Sequence, residues 1–131
     1  MNTTQVLDKI TMFQVAVNDM DKAKEFYVDK LGLKVIQDYR QDDKHWWVSL
    51  ELPGGGTSFT LTTLHGHLKP GSMQLYVTSP DIQAAHKQLT EKGVQSASQI
   101  QDDLYGPGSG VKWFSIKDPE GNVWMIAQSK M

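Results

Sequence analysis

Along residues 10–17 apolar and polar side chains alternate. Phe13, Val15 and Val17 fall on one side and Met12, Gln14 and Ala16 on the other, the period of a strand with two distinct faces. Asp19 then stands where it caps a helix whose apolar stripe is Met20, Ala23, Phe26, Tyr27 and Leu31, and Gly32 is placed to end it. Strands are predicted over 33–39, 46–52 and 58–62, with Pro53-Gly54-Gly55-Gly56 as the turn before the third. Residues 65–71 form a connector rather than an interdomain linker, because the pattern restarts at once. Residues 72–77 alternate, and Ser79-Pro80 offers an N-cap and a proline at the first helical position. The second helix carries Ile82, Ala85 and Leu89 on its apolar stripe, and Gly93 closes it.

The restart is an internal duplication. Trp47-Val48-Ser49-Leu50-Glu51-Leu52-Pro53 matches Trp113-Phe114-Ser115-Ile116-Lys117-Asp118-Pro119 in position within its repeat. The order β-α-β-β-β occurs twice, so the expected fold is α+β. Two βαβββ modules, about 9–63 and 72–128, form a cup-shaped mixed sheet with helices on the convex side, within one domain spanning 1–131. The stretch 99–110, with Tyr105-Gly106-Pro107-Gly108-Ser109-Gly110, is the one long loop, and its place beside the cup suits a lid as well as a plain surface loop.

Strand parity sorts the side chains of the sheet. Phe13, Val15, Val17, Val48, Leu50, Leu52, Phe59, Leu61, Leu75, Val77 and Ile126 are assigned to the core beneath the helices. The concave face collects Met12, Gln14, Trp47, Ser49, Ser58, Thr60, Thr62, Ser72, Gln74, Tyr76, Trp113, Ser115 and Met125. Aromatic rings, small hydroxyls, amides and thioethers together give apolar area and a few hydrogen-bonding groups, the makeup of a small-molecule pocket. The ligand-binding set expected from this is Met12, Gln14, Trp47, Thr60, Ser72, Gln74, Tyr76, Trp113 and Met125. The competing reading is a face filled by a partner subunit or by its own side chains. Glu51 and Lys117 occupy matched positions and read as solvated charges at strand ends.

Composition narrows the function classes. The net charge of -2 gives no reason to expect a nucleic acid or an anionic membrane as partner. The absence of cysteine removes disulfides, thiolate metal sites and a cysteine nucleophile. The start from Met1 to Asp8 is polar, without a signal-peptide core, and no apolar run approaches membrane-spanning length, so a cytoplasmic protein is expected.

The chain resembles the vicinal oxygen chelate superfamily, which includes glyoxalase I, extradiol dioxygenases and bleomycin-resistance proteins. The resemblance rests on Val17-Asn18-Asp19, Ala23, Phe26-Tyr27 and Leu31-Gly32-Leu33, followed by Asp118-Pro119-Glu120-Gly121-Asn122 before the last strand. It implies a dimer in which cups are completed or buttressed by the partner. In metal-using members it also implies four ligands, usually His, Glu or Gln, on the first and last strands of each module. Carried over by spacing, those positions are Met12, Thr60, Ser72 and Met125. Neutral hydroxyls and thioethers are a poor set for zinc, nickel, iron or manganese, so no metal or other cofactor is expected. A displaced site drawn from Gln14, His45, Glu51 and the pair His65/His67 is the alternative; otherwise Gln14 is a wall residue and the four histidines are solvated.

Two functions follow from this reading. One is a metal-free, homodimeric protein that sequesters an aromatic or planar small molecule. The other is a metal-dependent glyoxalase-like lyase or dioxygenase with a displaced ligand set. Whether the chain is an enzyme stays open, since no nucleophile, base and orienting group form a readable set.

Overall fold

The computed structural model describes residues 6–129. Residues 1–5 of the polar start, and the last two residues, lie outside the described residues. The first module runs β1 (Met12–Ala16), α1 (Met20–Lys24) continued by a π-helical segment (Glu25–Lys30), then β2 (Lys34–Asp42), β3 (His45–Glu51) and β4 (Ser58–Thr62). The second runs β5 (Gln74–Ser79), α2 (Ile82–Glu91), β6 (Trp113–Lys117) and β7 (Val123–Gln128). The sheets are ordered β1-β4-β3-β2 and β5-β7-β6. In each the first strand pairs parallel with the last, and the remaining pairs are antiparallel. This is the duplicated α+β architecture expected, with helices on one side of the strands and a cup on the other.

The second copy lacks one strand that the pattern predicts. After α2 the chain pairs with β6 only at the bridge between Gln101 and Trp113 and through Ser98 N–H to the Ser115 carbonyl. Serine side chains replace the rest of the ladder. Ser98 Oγ accepts from Ser115 N–H at 3.0 Å, and Ser96 Oγ both accepts from Lys117 N–H and donates to its carbonyl. The second helix also starts differently. Asp81, with extended backbone, is its N-cap and accepts from Ala84 N–H, while Ser79 remains the last residue of β5. Pro80 accounts for this, because the residue before a proline is held extended.

The predicted core residues pack together, joined by Trp46, Phe114, Ile116 and Trp124 on the same face. Phe59 sits at its centre, with ring centroids 5.7 Å from Phe13 and 5.4 Å from both Tyr27 and Trp124. The π-helical turn, closed by Leu31 N–H on the Phe26 carbonyl, buries Phe26 and Tyr27 side by side. β2 is exposed along its whole length, and its charged side chains suit a free sheet edge.

The modules are locked to each other by Asp118-Pro119-Glu120-Gly121-Asn122, which does more than turn the chain. Buried Asp118 accepts from Glu120 N–H, from Asn122 N–H and from the Asn122 side-chain amide within its own turn. It also accepts from the Tyr27 hydroxyl of the first module, which in turn accepts from the Trp124 indole at 2.9 Å. Burial, and then the charge of Asp118, push the Tyr27 phenol far above its ordinary range, so it stays a proton donor. Glu120 reaches back in the same direction, accepting from the backbone N–H groups of Asn18 and Asp19 just ahead of α1. Asp19 is the N-cap of that helix, as expected.

Candidate functional site

Register places the concave side chains in level rows. In the four-stranded sheet Gln14 pairs with Thr60, Thr60 with Ser49 and Ser49 with Gln37. The row beside it is Ala16, Thr62, Trp47 and Tyr39. In the three-stranded sheet Tyr76 pairs with Met125 and Met125 with Ser115. Its neighbouring row is Thr78, Ala127 and Trp113. Gln14, Thr60 and Ser49 therefore correspond to Tyr76, Met125 and Ser115, and the two tryptophans stand in matched places.

Eight of the nine expected binding residues lie on these strands, and one does not. Ser72 is in the connector ahead of β5, its hydroxyl donating to the Lys69 carbonyl at 2.6 Å. The ladder cannot begin sooner, because Met73 N–H is taken by the Asn122 side chain. Met12 is 44% exposed and level with Ser58, one step along the strand from the Gln14–Thr60 row. Thr60 is buried and bonded to Ser49 at 2.8 Å, so that half-buried serine carries the outward contact of the pair. Gln74 donates to the Tyr76 hydroxyl at 3.1 Å, and Tyr76 is 58% exposed. Trp47, Trp113 and Met125 are half-buried. The structure brings the set together within each sheet. Among the described residues no hydrogen bond or ring contact joins the concave side chains of one sheet to those of the other.

An open cleft of about 760 Å³ lies at the free edge of β1, between Met12 and Gln14 on one side and Leu64, His65, His67 and Leu68 of the connector on the other. The connector therefore walls the site on this side. The loop at 99–110 is tied across its own base by Gln101 with Trp113, Leu104 with Val111 and the Asp103 side chain with Gly110, leaving Tyr105 exposed at its tip.

The fold invites a metal, and the donor chemistry decides whether these residues suit one. The positions carried over for ligands hold two thioethers and two hydroxyls at Met12, Thr60, Ser72 and Met125, and the amide of Gln14 and the phenol of Tyr76 level with them add no carboxylate or imidazole. They do not fit a hard or borderline divalent ion. Of the displaced candidates, Gln14, His65 and His67 line one cleft, while His45 and Glu51 stand apart at opposite ends of β3. Among the described residues no three His, Cys, Asp or Glu side chains gather as a metal site. Two histidines expected to be solvated are half-buried instead. His65 Nε2 bonds the Val17 carbonyl at 2.7 Å, and His86 bonds the Ser98 carbonyl and packs its ring edge-on to Phe114. His45 is exposed, paired with Asp42.

Residues 9–126 match the family described as the Glyoxalase/Bleomycin resistance protein/Dioxygenase superfamily. The chain belongs to this superfamily. TnmS3, an antibiotic binding protein from a Streptomyces species, superposes on this glyoxalase-type chain with a TM-score of 0.80 and 27% identity, covering 97% of this chain and 100% of its own. A superfamily member from Sphaerobacter thermophilus does so with a TM-score of 0.78 and 25% identity, covering 95% and 100%. A probable lactoylglutathione lyase of Vibrio parahaemolyticus is 23% identical over 138 residues, covering 93% of this chain and 91% of its own. Proteins similar to this chain thus include a binder and a probable lyase, and likeness alone does not choose between them.

Sequence parity missed two features of the site. Tyr39 was assigned to a strand but to neither face; two irregularities in the β2–β3 register, between Val35 and Gln37 and between Arg40 and Asp42, obscure its side. The connector residues Leu64 and Leu68 carry no period and gave no signal.

Proposed function

We propose that this chain is a metal-free small-molecule-binding protein of the glyoxalase/bleomycin resistance type, acting in the cytoplasm to sequester an aromatic or planar compound. One observation carries the reading: the positions where metal-using members place ligands hold Met12, Thr60, Ser72 and Met125, the side chains level with Thr60 and Met125 are the neutral Gln14 and Tyr76, and Trp47 and Trp113 stand at matched places in the two sheets. Such a surface offers ring area and neutral hydrogen-bonding groups, a donor set that suits a small molecule better than a Lewis-acid metal. The likeness to an antibiotic binding protein at 27% identity supports the same direction. Among the described residues no helix is long and apolar enough to cross a membrane.

The functional unit is a homodimer. β1 and β5 are free edges, and each sheet carries its own polar row and its own tryptophan on an open face. A second copy supplies the facing half, so that Gln14 and Trp47 of one subunit stand across from Tyr76 and Trp113 of the other. Native mass spectrometry of protein purified without chelator is expected to give the mass of two chains with no retained metal. A monomer alone at micromolar concentration overturns the dimer. One equivalent of nickel, zinc, iron or manganese kept through dialysis and lost in Gln14→Ala or His45→Ala overturns the metal-free reading.

Ligand binding is tested by tryptophan fluorescence against polycyclic and glycopeptide-like compounds. Stacking contributes about 0.5–1.5 kcal/mol beyond burial, so Trp47→Ala and Trp113→Ala should each weaken a hit roughly two- to tenfold while the domain stays folded. Equal affinity in wild type and both variants sends the ligand elsewhere. Unfolding of both variants means the indoles belong to the core.

A further inference from the structure

The four-stranded sheet carries a second exposed aromatic beside Trp47. Tyr39 is its register partner on β2, with ring centroids 4.7 Å apart and planes inclined at 38°, and it is 46% exposed. An exposed Tyr–Trp pair across two strands stabilises a hairpin by itself. Three further features turn this one toward a ligand.

The first is that the sheet beneath is closed. Ala16, Thr60 and Thr62 are buried, so a ligand cannot insert between strands and must lie on the outward ring surface. The second is the row next to the rings, two residues along each strand and therefore roughly 7 Å away. There Ser49 and Thr60 share one hydrogen bond, and two hydroxyls joined by one bond keep one O–H to donate outward. Gln14 and Gln37 continue that row as exposed amides at either end. The third is charge. β1 and β4 contain no ionisable side chain, and every charged residue of β2 is paired within the chain. Lys34 pairs with Glu51, Asp38 with Lys24, Arg40 with Asp43 and Asp42 with His45. The cations of this sheet, Lys34 and Arg40, already face carboxylates, so an anionic ligand has to compete for them. Trp46, the neighbouring indole, faces the other way, under the Arg40 guanidinium at 4.1 Å and donating to Asp38, so it is not part of this surface.

We infer that Tyr39 and Trp47 form one stacking platform for a neutral fused-ring aromatic compound with a hydrogen-bond-accepting oxygen that meets the Ser49–Thr60 hydroxyl pair. The inference rests on the proposed small-molecule function and adds a residue, a charge state and a minimum size. A single ring covers one of the two aromatic side chains, whereas a fused pair covers both and reaches the polar row. An anion of the same shape gives up its hydration and finds only cations that already face carboxylates.

The test is an amide ¹⁵N NMR titration with three probes: 2-naphthamide, benzamide and 2-naphthoate. The expected order places naphthamide first, benzamide about tenfold weaker from the apolar area it leaves unburied, and naphthoate at least fivefold weaker. Shifts should centre on Tyr39, Trp47, Ser49 and Gln37. Tyr39→Leu should weaken naphthamide roughly three- to tenfold and Tyr39→Phe should hold it within about twofold, since the stacking ring is kept. Tyr39 lies on an exposed edge strand, and the wild-type shift map decides the matter even where a variant is unstable. Naphthamide binding that responds to Trp47→Ala or Trp113→Ala but not to Tyr39→Leu overturns the platform and leaves the proposed function standing. Naphthoate binding as tightly as naphthamide overturns the neutral-ligand assignment. Shifts remote from both sheets' concave faces overturn the platform and the proposed function together.

Discussion

Replacing Asp118 with alanine is expected to cost roughly 3–5 kcal/mol of stability, more than any change on the concave face. The carboxylate serves four donors: Glu120 N–H, Asn122 N–H, the Asn122 side-chain amide and the Tyr27 hydroxyl. Glu120 N–H is near enough to the surface to find water. The other three are buried, and a buried donor left without an acceptor costs about 1–3 kcal/mol. For a domain of this size the loss corresponds to a fall in melting temperature of roughly 10–20 °C. Tyr27→Phe should cost less, about 1–3 kcal/mol, because it removes one donor from Asp118 and orphans only the Trp124 indole. Thermal unfolding of the two single variants and the double variant measures this directly. If Asp118→Ala lowers stability by under about 1 kcal/mol, the buried network is not what holds the modules together. Any loss of ligand binding in these variants should track unfolding, since neither residue touches the cup.

How much of this was legible in the sequence depends on how local its cause is. The alternation in β1, β3 and β4 is enforced by one buried and one open face, and Phe13, Val15, Val48, Leu50, Phe59 and Leu61 all went to the side assigned to them. The helix caps come from short-range chemistry, yet Asp81 displaced Ser79 because a proline lies between them. The missing strand after α2 was not legible, since Ser96 and Ser98 satisfy the backbone of β6 with side-chain oxygens and no hydrophobic period marks that exchange. The site was half legible. Parity put Met12, Gln14, Trp47, Thr60, Gln74, Tyr76, Trp113 and Met125 on strands of one face, but level pairing across strands is a property of register. Register makes Gln14, rather than Met12, the partner of Thr60, and leaves Ser72 outside the ladder.

The same distinction bears on the choice between binding and catalysis. A glyoxalase-type fold supplies a cup whatever lines it, and chemistry enters only with the side chains that line it. With an amide, a hydroxyl, a phenol and a thioether there, the proposed reading has the polar groups of this cup orient a ligand. In that reading the aromatic side chains supply most of the contact area.

Substituting Gly71 with alanine is the other large effect expected, and it reaches the module joint from the connector. Gly71 has φ of +79°, and a Cβ built there would stand 2.2 Å from the Glu120 carbonyl oxygen. The left-handed backbone alone costs a non-glycine residue roughly 1–2 kcal/mol. The overlap is with backbone, not with the end of a flexible side chain, so either the connector or the Asp118–Asn122 turn has to move. Glu120 is not free to follow, because its carboxylate holds Asn18 and Asp19 ahead of α1. Relieving such overpacking costs a further 1–3 kcal/mol or so, for a total of roughly 2–5 kcal/mol. Gly93 separates the two causes. Its φ is +88° with nothing within 4 Å of a Cβ, so Gly93→Ala should cost only the left-handed backbone term, roughly 1–2 kcal/mol. Denaturant unfolding of both variants under one condition makes the comparison. Equal losses at the two glycines would mean that the connector yields freely at Glu120, and that the contact between Gly71 and the turn does not help fix the modules.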